Sequence, residues 1–271
     1  AGFGGDEWND YWDERYHLQD VLDNYNGSVY IVWGMQDWNV DPYHAFPTHE
    51  LLRQQGINVR TIAGQWAHNY PDQPDRHSEV TSGYGAEAYP NMTRFDWAVE
   101  LFPWFEYYLK GIGDEPESYV QMQRNDGRWH IEETWPPEDL SILQVPGDGG
   151  NQRVSSTSGG FEITLEISDG PIHISGLPTL HTDVSTGLCN GGQLFVTMKD
   201  GESGLRLGHA TMDVRYRDGG YDSKPTASLS SYKMLMEFNP MDVIVPSGIL
   251  TLQFSESGED YIPSPSTVND L

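Results

Sequence analysis

The period of the apolar positions changes twice in the first quarter of the chain. Val29-Tyr30-Ile31-Val32-Trp33 is a continuous apolar and aromatic run of strand length, residues 43–55 repeat at helical intervals, and Asn58-Val59-Arg60-Thr61-Ile62-Ala63 reads as a second strand. Pro42 suits the opening of the helix, where its missing N–H is not needed. This is a strand, helix, strand unit, and it predicts a parallel pair of strands. The acidic, aromatic-rich residues 2–26 feed it as a helix or loop. Further on, Phe95, Ala98, Leu101, Phe102, Phe105, Tyr108 and Leu109 recur at helical intervals. That stripe is expected to pack against the sheet, with Pro103 implying a kink or a restart.

Residues 136–160 lose this periodicity and end in Gly147-Asp148-Gly149-Gly150 and Ser155-Ser156-Thr157-Ser158-Gly159-Gly160, the composition of turns and linkers. Beyond them, short alternating segments recur at 161–167, 194–198, 212–216, 232–238 and 249–254, separated by Gly, Asp and Pro. Alternation of that kind predicts an antiparallel sandwich. The expected organisation is therefore α/β over residues 1–139 and all-β over 140–271. Residues 69–91, rich in Gly, Pro, Asp and Ser, form a loop long enough for a lid, and equally suited to a plain surface excursion.

The turns after the two predicted strands carry the candidate chemistry. Gly34-Met35-Gln36-Asp37-Trp38-Asn39-Val40 follows the first, and Gly64-Gln65-Trp66-Ala67-His68 follows the second. A parallel sheet gathers its functional side chains at the carboxyl ends of its strands, so Asp37 and His68 fall on one rim. In an α/β-hydrolase the triad runs serine, acid, histidine along the chain, with acid and base at such strand ends. Asp37 would fix the imidazole tautomer and stabilise the imidazolium, and His68 would take the proton of a serine hydroxyl. Trp38 and Trp66 beside them are suited to excluding water, and equally to ordinary packing at a strand end. No G-x-S-x-G elbow occurs in the sequence, and Gly201-Glu202-Ser203-Gly204 has the wrong spacing for one. The chain is thus expected to be the C-terminal portion of a longer enzyme.

With these motifs the chain resembles the C-terminal part of the Xaa-Pro dipeptidyl-peptidases, serine peptidases that share a plan with cocaine-esterase-like acyl hydrolases. The matching pieces are Trp12-Asp13-Glu14-Arg15, the acid and base segments with Pro42, Trp104-Phe105 with Tyr108-Leu109-Lys110-Gly111, and Trp129 followed by Thr134-Trp135-Pro136-Pro137. The resemblance implies the end of an α/β-hydrolase domain over 1–139 followed by a jelly-roll β-sandwich. It also implies Asp37 as acid, His68 as base, Asn39 and Val40 as contributors to a pocket for proline, and a nucleophile and oxyanion hole in a portion this chain lacks. The substrate would be a peptide with a free amino terminus and proline second.

Composition narrows the partners. The chain has 41 acidic and 15 basic residues, a formal charge of −26, and only four lysines. Residues 1–139 hold 25 acids and 8 bases, so the excess is not confined to one tail. Nucleic acid and anionic membrane are therefore excluded as expected partners, and a protein built for high salt is the expectation. No apolar run approaches membrane-spanning length. The single Cys189 leaves the redox compartment open, and the expected location is cytoplasmic. A homo-oligomer is compatible with the composition. The nine histidines are scattered, His44 and His49 are five apart, and no H-E-x-x-H, Cys pair or phosphate cradle occurs, so neither metal nor cofactor is expected. Three readings remain: the peptidase, a cocaine-esterase-like ester hydrolase, and a binding protein that keeps the hydrolase scaffold without its nucleophile.

Overall fold

The computed structural model describes residues 8–37, 40–68, 70–73, 92–147, 152, 154, 160–186, 191–256 and 258. Two short helices, α1 (Asp10–Asp13) and α2 (Leu18–Asn24), lead into β1 (Val29–Gly34). A 3-10 turn at Pro42–His44 and α3 (Ala45–Gln54) then connect to β2 (Val59–Gly64). The strands are parallel, as the periodicity predicts, in a register that runs from Val29 opposite Val59 to Gly34 opposite Gly64. Burial explains why this helix forms. Ala45, Phe46, His49 and Leu52 lie on one face of α3 at helical spacing and are buried.

Two strands not evident from the periodicity complete this sheet. β3 (Val120–Gln123) lies parallel to β2, and β4 (Trp129–Glu132) lies antiparallel to β3, giving the order β1-β2-β3-β4. Each is four residues long, too short to display a period. The place of β3 is set by Val120 and Met122, which are fully buried in a core with Met35, Phe46, Ala63 and Trp135, and β4 is placed by its pairing with β3. β1 is an edge of the sheet among the described residues.

The following helix, α4 (Trp97–Lys110), runs through Pro103 and closes on Gly111 in the left-handed conformation at φ 67°, where glycine carries no steric penalty. The expected burial of its apolar stripe is corrected: Phe95, Phe102, Phe105 and Leu109 are exposed, together with Val99. α4 is apolar on more than one face, and it meets the sheet through the face carrying Trp104. That ring sits edge-on to Tyr30 at 5.3 Å and against Tyr108 at 4.8 Å.

Beyond residue 160 every described strand pairing is antiparallel. The strands are β5 (Phe161–Glu166), β6 (Ile172–Gly176), β7 (Thr179–Ser185), β8 (Gln193–Asp200), β9 (Arg206–Asp213), β10 (Ser231–Glu237), β11 (Met241–Val245) and β12 (Ile249–Ser255). They form a four-stranded sheet in the order β5-β12-β8-β9 and two ribbons, β7 with β10 and β6 with β11. One core joins all three, built from Val196, Met198, Leu207, Met236, Val243, Leu252 and Phe254 among others. Truncating one of its large members to Ala would cost about 2–5 kcal/mol.

The strand expected at 212–216 is corrected. β9 ends at Asp213, whose carboxylate accepts from Arg215 N at 2.9 Å and starts a 3-10 turn at Val214–Tyr216. The strand lies earlier, through Leu207, Gly208, His209 and Ala210, all buried. Burial on both faces erases the alternation that marks a half-exposed strand.

Candidate active site

Because β1 and β2 end level with one another, the turns that follow them leave side by side. Met35 N donates to Gly64 O at 2.7 Å and Gln36 N to Trp66 O at 3.1 Å, so the acid turn is clipped directly to the base segment. Both terminal glycines are required by Trp66, which is buried over the strand ends. A Cβ on Gly64 would lie 1.9 Å from the indole, and one on Gly34 would lie 2.4 Å from the Trp66 carbonyl.

The clipped turns bring the two predicted residues together. His68 Nδ1 lies 2.9 Å from Asp37 Oδ2, and Val40 N donates to Asp37 Oδ1 at 2.8 Å. Asp37 is buried, with its side chain 10% exposed, whereas the His68 side chain is 46% exposed. A carboxylate only accepts, so Nδ1 carries the hydrogen in this pair and Nε2 is the basic nitrogen of the neutral ring. The carboxylate is thus sheltered and the imidazole faces outward. Val40, itself 40% exposed, is placed by its main-chain bond to the acid. Asn39 and Trp38 lie outside the described residues.

Behind the pair stand three buried glutamines, of which only Gln65 belongs to a base-segment motif. Gln36 Nε2 donates to Gln65 Oε1 at 3.0 Å, Gln65 Nε2 donates to Gln123 O at 2.8 Å, and Gln65 N donates to Gln123 Oε1 at 3.2 Å. Each is at most 2% exposed. Amides suit this place because each supplies donor and acceptor without a charge to desolvate. Sequence reasoning missed Gln36 and Gln123. The available signal was a polar residue directly before Asp37, in a segment otherwise reading as core.

The same sheet meets the antiparallel region through further polar contacts that the sequence does not announce. Gln65 Nε2 reaches Asp242 O at 3.4 Å, and Asn125 exchanges bonds with Ile244, Nδ2 to O at 2.8 Å and N to Oδ1 at 2.7 Å. Asp242, fully buried on β11, faces His130 Nε2 at 2.9 Å and His173 Nε2 on its other oxygen. The hydrogen bond to Asp242 raises the His130 pKa above the ordinary imidazole value.

Other candidates resolve differently. His49 is buried, its Nδ1 lies 2.8 Å from Thr61 Oγ1, and burial pushes its pKa down to about 4. It is a neutral packing residue. The side chain of His44 lies outside the described residues. Among the described residues no three of His, Cys, Asp and Glu are grouped as a metal's ligands would be, and no helix is long and apolar enough to cross a membrane. Most of the expected loop at 69–91 lies outside the described residues. Its start is tied to the approach to α4, with Arg94 N donating to Pro71 O at 2.7 Å and Trp97 Nε1 to Asp72 Oδ1 at 3.2 Å.

No protein-family model matches the chain. The chain is similar over about half its length to Xaa-Pro dipeptidyl-peptidases. A protein of Bacillus anthracis provisionally given that name is 28% identical over 131 residues, 48% of this chain and 18% of the relative. The Xaa-Pro dipeptidyl-peptidase of Ligilactobacillus salivarius is 22% identical over 167 residues, 60% of this chain and 18% of the relative. The chain therefore spans about a fifth of the length of these curated relatives. Among solved structures, an aminopeptidase from a marine sediment Thaumarchaeota archaeon superposes with a TM-score of 0.72 at 15% identity, covering 98% of this chain and 54% of that one. A CocE/NonD family hydrolase from Staphylococcus aureus superposes with a TM-score of 0.65 at 12% identity, covering 96% and 51%. At these identities the structures establish a shared fold, one that runs through both the mixed sheet and the antiparallel region.

Proposed function

We propose that this chain supplies the acid and the base of a serine hydrolase of the Xaa-Pro dipeptidyl-peptidase type. The observation that carries the proposal is the 2.9 Å pair of a sheltered Asp37 and an outward-facing His68 at the ends of adjacent parallel strands. His68 Nε2 takes the proton of a serine hydroxyl as that oxygen attacks the carbonyl of the scissile bond, and Asp37 stabilises the imidazolium. The same nitrogen then protonates the leaving amine. The sequence holds no G-x-S-x-G elbow and matches only about a fifth of its curated relatives, which supports a serine and an oxyanion hole contributed from outside these residues. On this reading residues 1–139 are the end of an α/β-hydrolase domain and 140–271 a jelly-roll sandwich. Asn39 and Val40 border the pocket for a substrate proline. The acidic excess adapts the surface to high salt.

The names of the curated relatives support a peptide substrate with proline at the second position, and the reading adds a free amino terminus. In the full-length protein, Gly-Pro and Ala-Pro anilides should be cleaved, and the same compounds with a blocked amine should be ignored. A site built to bind an ammonium group loses its buried partner when that group is blocked, which costs several powers of ten in specificity. Ready hydrolysis of simple acyl esters with indifference to a free amine would favour an ester hydrolase instead. Absence of hydrolysis on either class would favour a binding protein.

A further inference from the structure

The acid turn is held at both ends, and its far end is held by the antiparallel region. Asp41, four residues past Asp37, uses both oxygens of its carboxylate. Oδ1 accepts from Tyr43 N at 2.9 Å and caps the 3-10 turn at Pro42–His44, while Oδ2 lies 3.0 Å from His209 Nε2. His209 comes from the middle of β9, 168 residues away, and its side chain is 2% exposed. Its main chain is held on both sides by Asn239, with N donating to Asn239 Oδ1 at 2.7 Å and O accepting from Asn239 N at 2.9 Å, and its ring stacks on Phe195 at 5.5 Å. A second contact runs parallel to it, from Tyr43 OH to Glu237 on β10, and this carboxylate pushes the tyrosine pKa up to about 12. Both line a cleft of about 1210 Å³ between the turn and the ribbon of β7 and β10.

The geometry points to His209 as a positioning residue for the proposed chemistry, acting through Asp41 to fix the turn that carries Asp37. The inference rests on the reading of Asp37 as the acid. Between residue 34 and residue 42 the turn is clipped to the base segment at its start, closed on itself by Val40 N, and anchored at its end through Asp41. A largely buried, hydrogen-bonded pair contributes little net stability for the charge it desolvates, and the role inferred for this one is to select one arrangement of the turn over its neighbours. A selected arrangement is what an acid needs, because the base must be held within about 0.5 Å of its productive position. The antiparallel region therefore takes part in setting up the site.

The test separates anchoring from ordinary cohesion. Asp41→Ser keeps a good cap for the 3-10 turn but is too short to reach His209. His209→Ala removes the partner, and His209→Gln offers an amide N–H in place of Nε2–H. Asn125→Ala breaks a different contact with the antiparallel region. In the full-length protein, Asp41→Ser and His209→Ala should lower kcat by about 10–100-fold with KM within about threefold, since misplacing a catalytic group by about 1 Å has that effect. Both should also shift or broaden the downfield Nδ1–H proton resonance of His68, which reports the bond to Asp37 directly. His209→Gln should restore both readouts and Asn125→Ala should leave both as in the parent. If Asp41→Ser, shown folded by its melting curve, keeps parental kcat and resonance, the positioning role is overturned. It is overturned equally if Asn125→Ala lowers kcat as far as His209→Ala does. Asp37→Asn, assayed alongside, tells the two ideas apart: retained turnover would remove the acid assignment, and the resonance would then decide the anchoring by itself.

Discussion

Replacing Asp37 by asparagine changes one atom and reverses the hydrogen-bonding demand on His68. Val40 N donates to Asp37 Oδ1 at 2.8 Å, and His68 Nδ1 lies 2.9 Å from Oδ2. In the substituted side chain the amide oxygen must stay on Val40 N, because the amide nitrogen there would oppose a second donor. The NH2 group then faces His68 Nδ1, which must surrender its hydrogen to accept. The neutral ring now carries the hydrogen on Nε2, the atom that receives the serine proton in the proposed mechanism. The expected loss in kcat is roughly 10⁴-fold, about 5 kcal/mol of transition-state stabilisation, at nearly unchanged KM because the fold and the substrate contacts stay in place. Steady-state hydrolysis of Ala-Pro anilide by the full-length protein measures the kinetic part, and the Nδ1–H proton resonance should vanish from the spectrum. Turnover within about tenfold of the parent, with the resonance gone, would refute the reasoning, since the tautomer would have changed without consequence.

Three further expectations follow from other parts of the molecule. Removing the central amide with Gln65→Leu leaves Gln36 Nε2 and Gln123 O without the partners they now have, while Gln123 Oε1 keeps the main-chain N of residue 65, and should destabilise the fold by about 2–4 kcal/mol in urea denaturation. A change below about 0.5 kcal/mol would mean water replaces the amide. His49 has a folded pKa of about 4 against an unfolded value of 6.5, so the unfolded chain binds more protons between these values, and stability present above pH 6.5 is lost as pH falls through 4. The loss should be about 2 kcal/mol by pH 5 and should disappear in His49→Met. Finally, the formal net charge of −26 on these 271 residues should make the full-length protein melt higher in about 2 M than in 0.1 M KCl, and a flat or falling melting temperature would count against adaptation to salt.

The strands and helix that carry the site were legible because their periodicity is local. The run from Val29 to Trp33, the helix containing Phe46 and His49, and the strand ending at Gly64 each show their character within a window of ten residues. The meeting of Asp37 and His68 also followed from sequence, since equal strand ends in a parallel pair leave little choice of where the turns emerge. The exposed flank of α4 did not follow. An apolar helical stripe specifies that something covers it, and only packing decides which face of a helix with more than one apolar face turns inward. The strand through His209 was missed because both of its faces are buried, and β3 and β4 because they are short. What the tertiary structure alone decided is which distant polar side chains meet: Gln123 with Gln65, Asp242 with His130, and His209 with Asp41. These partners lie 58 to 168 residues apart. No local pattern marks them, because a buried polar side chain is chosen by the group it must satisfy, and folding alone brings that group to it.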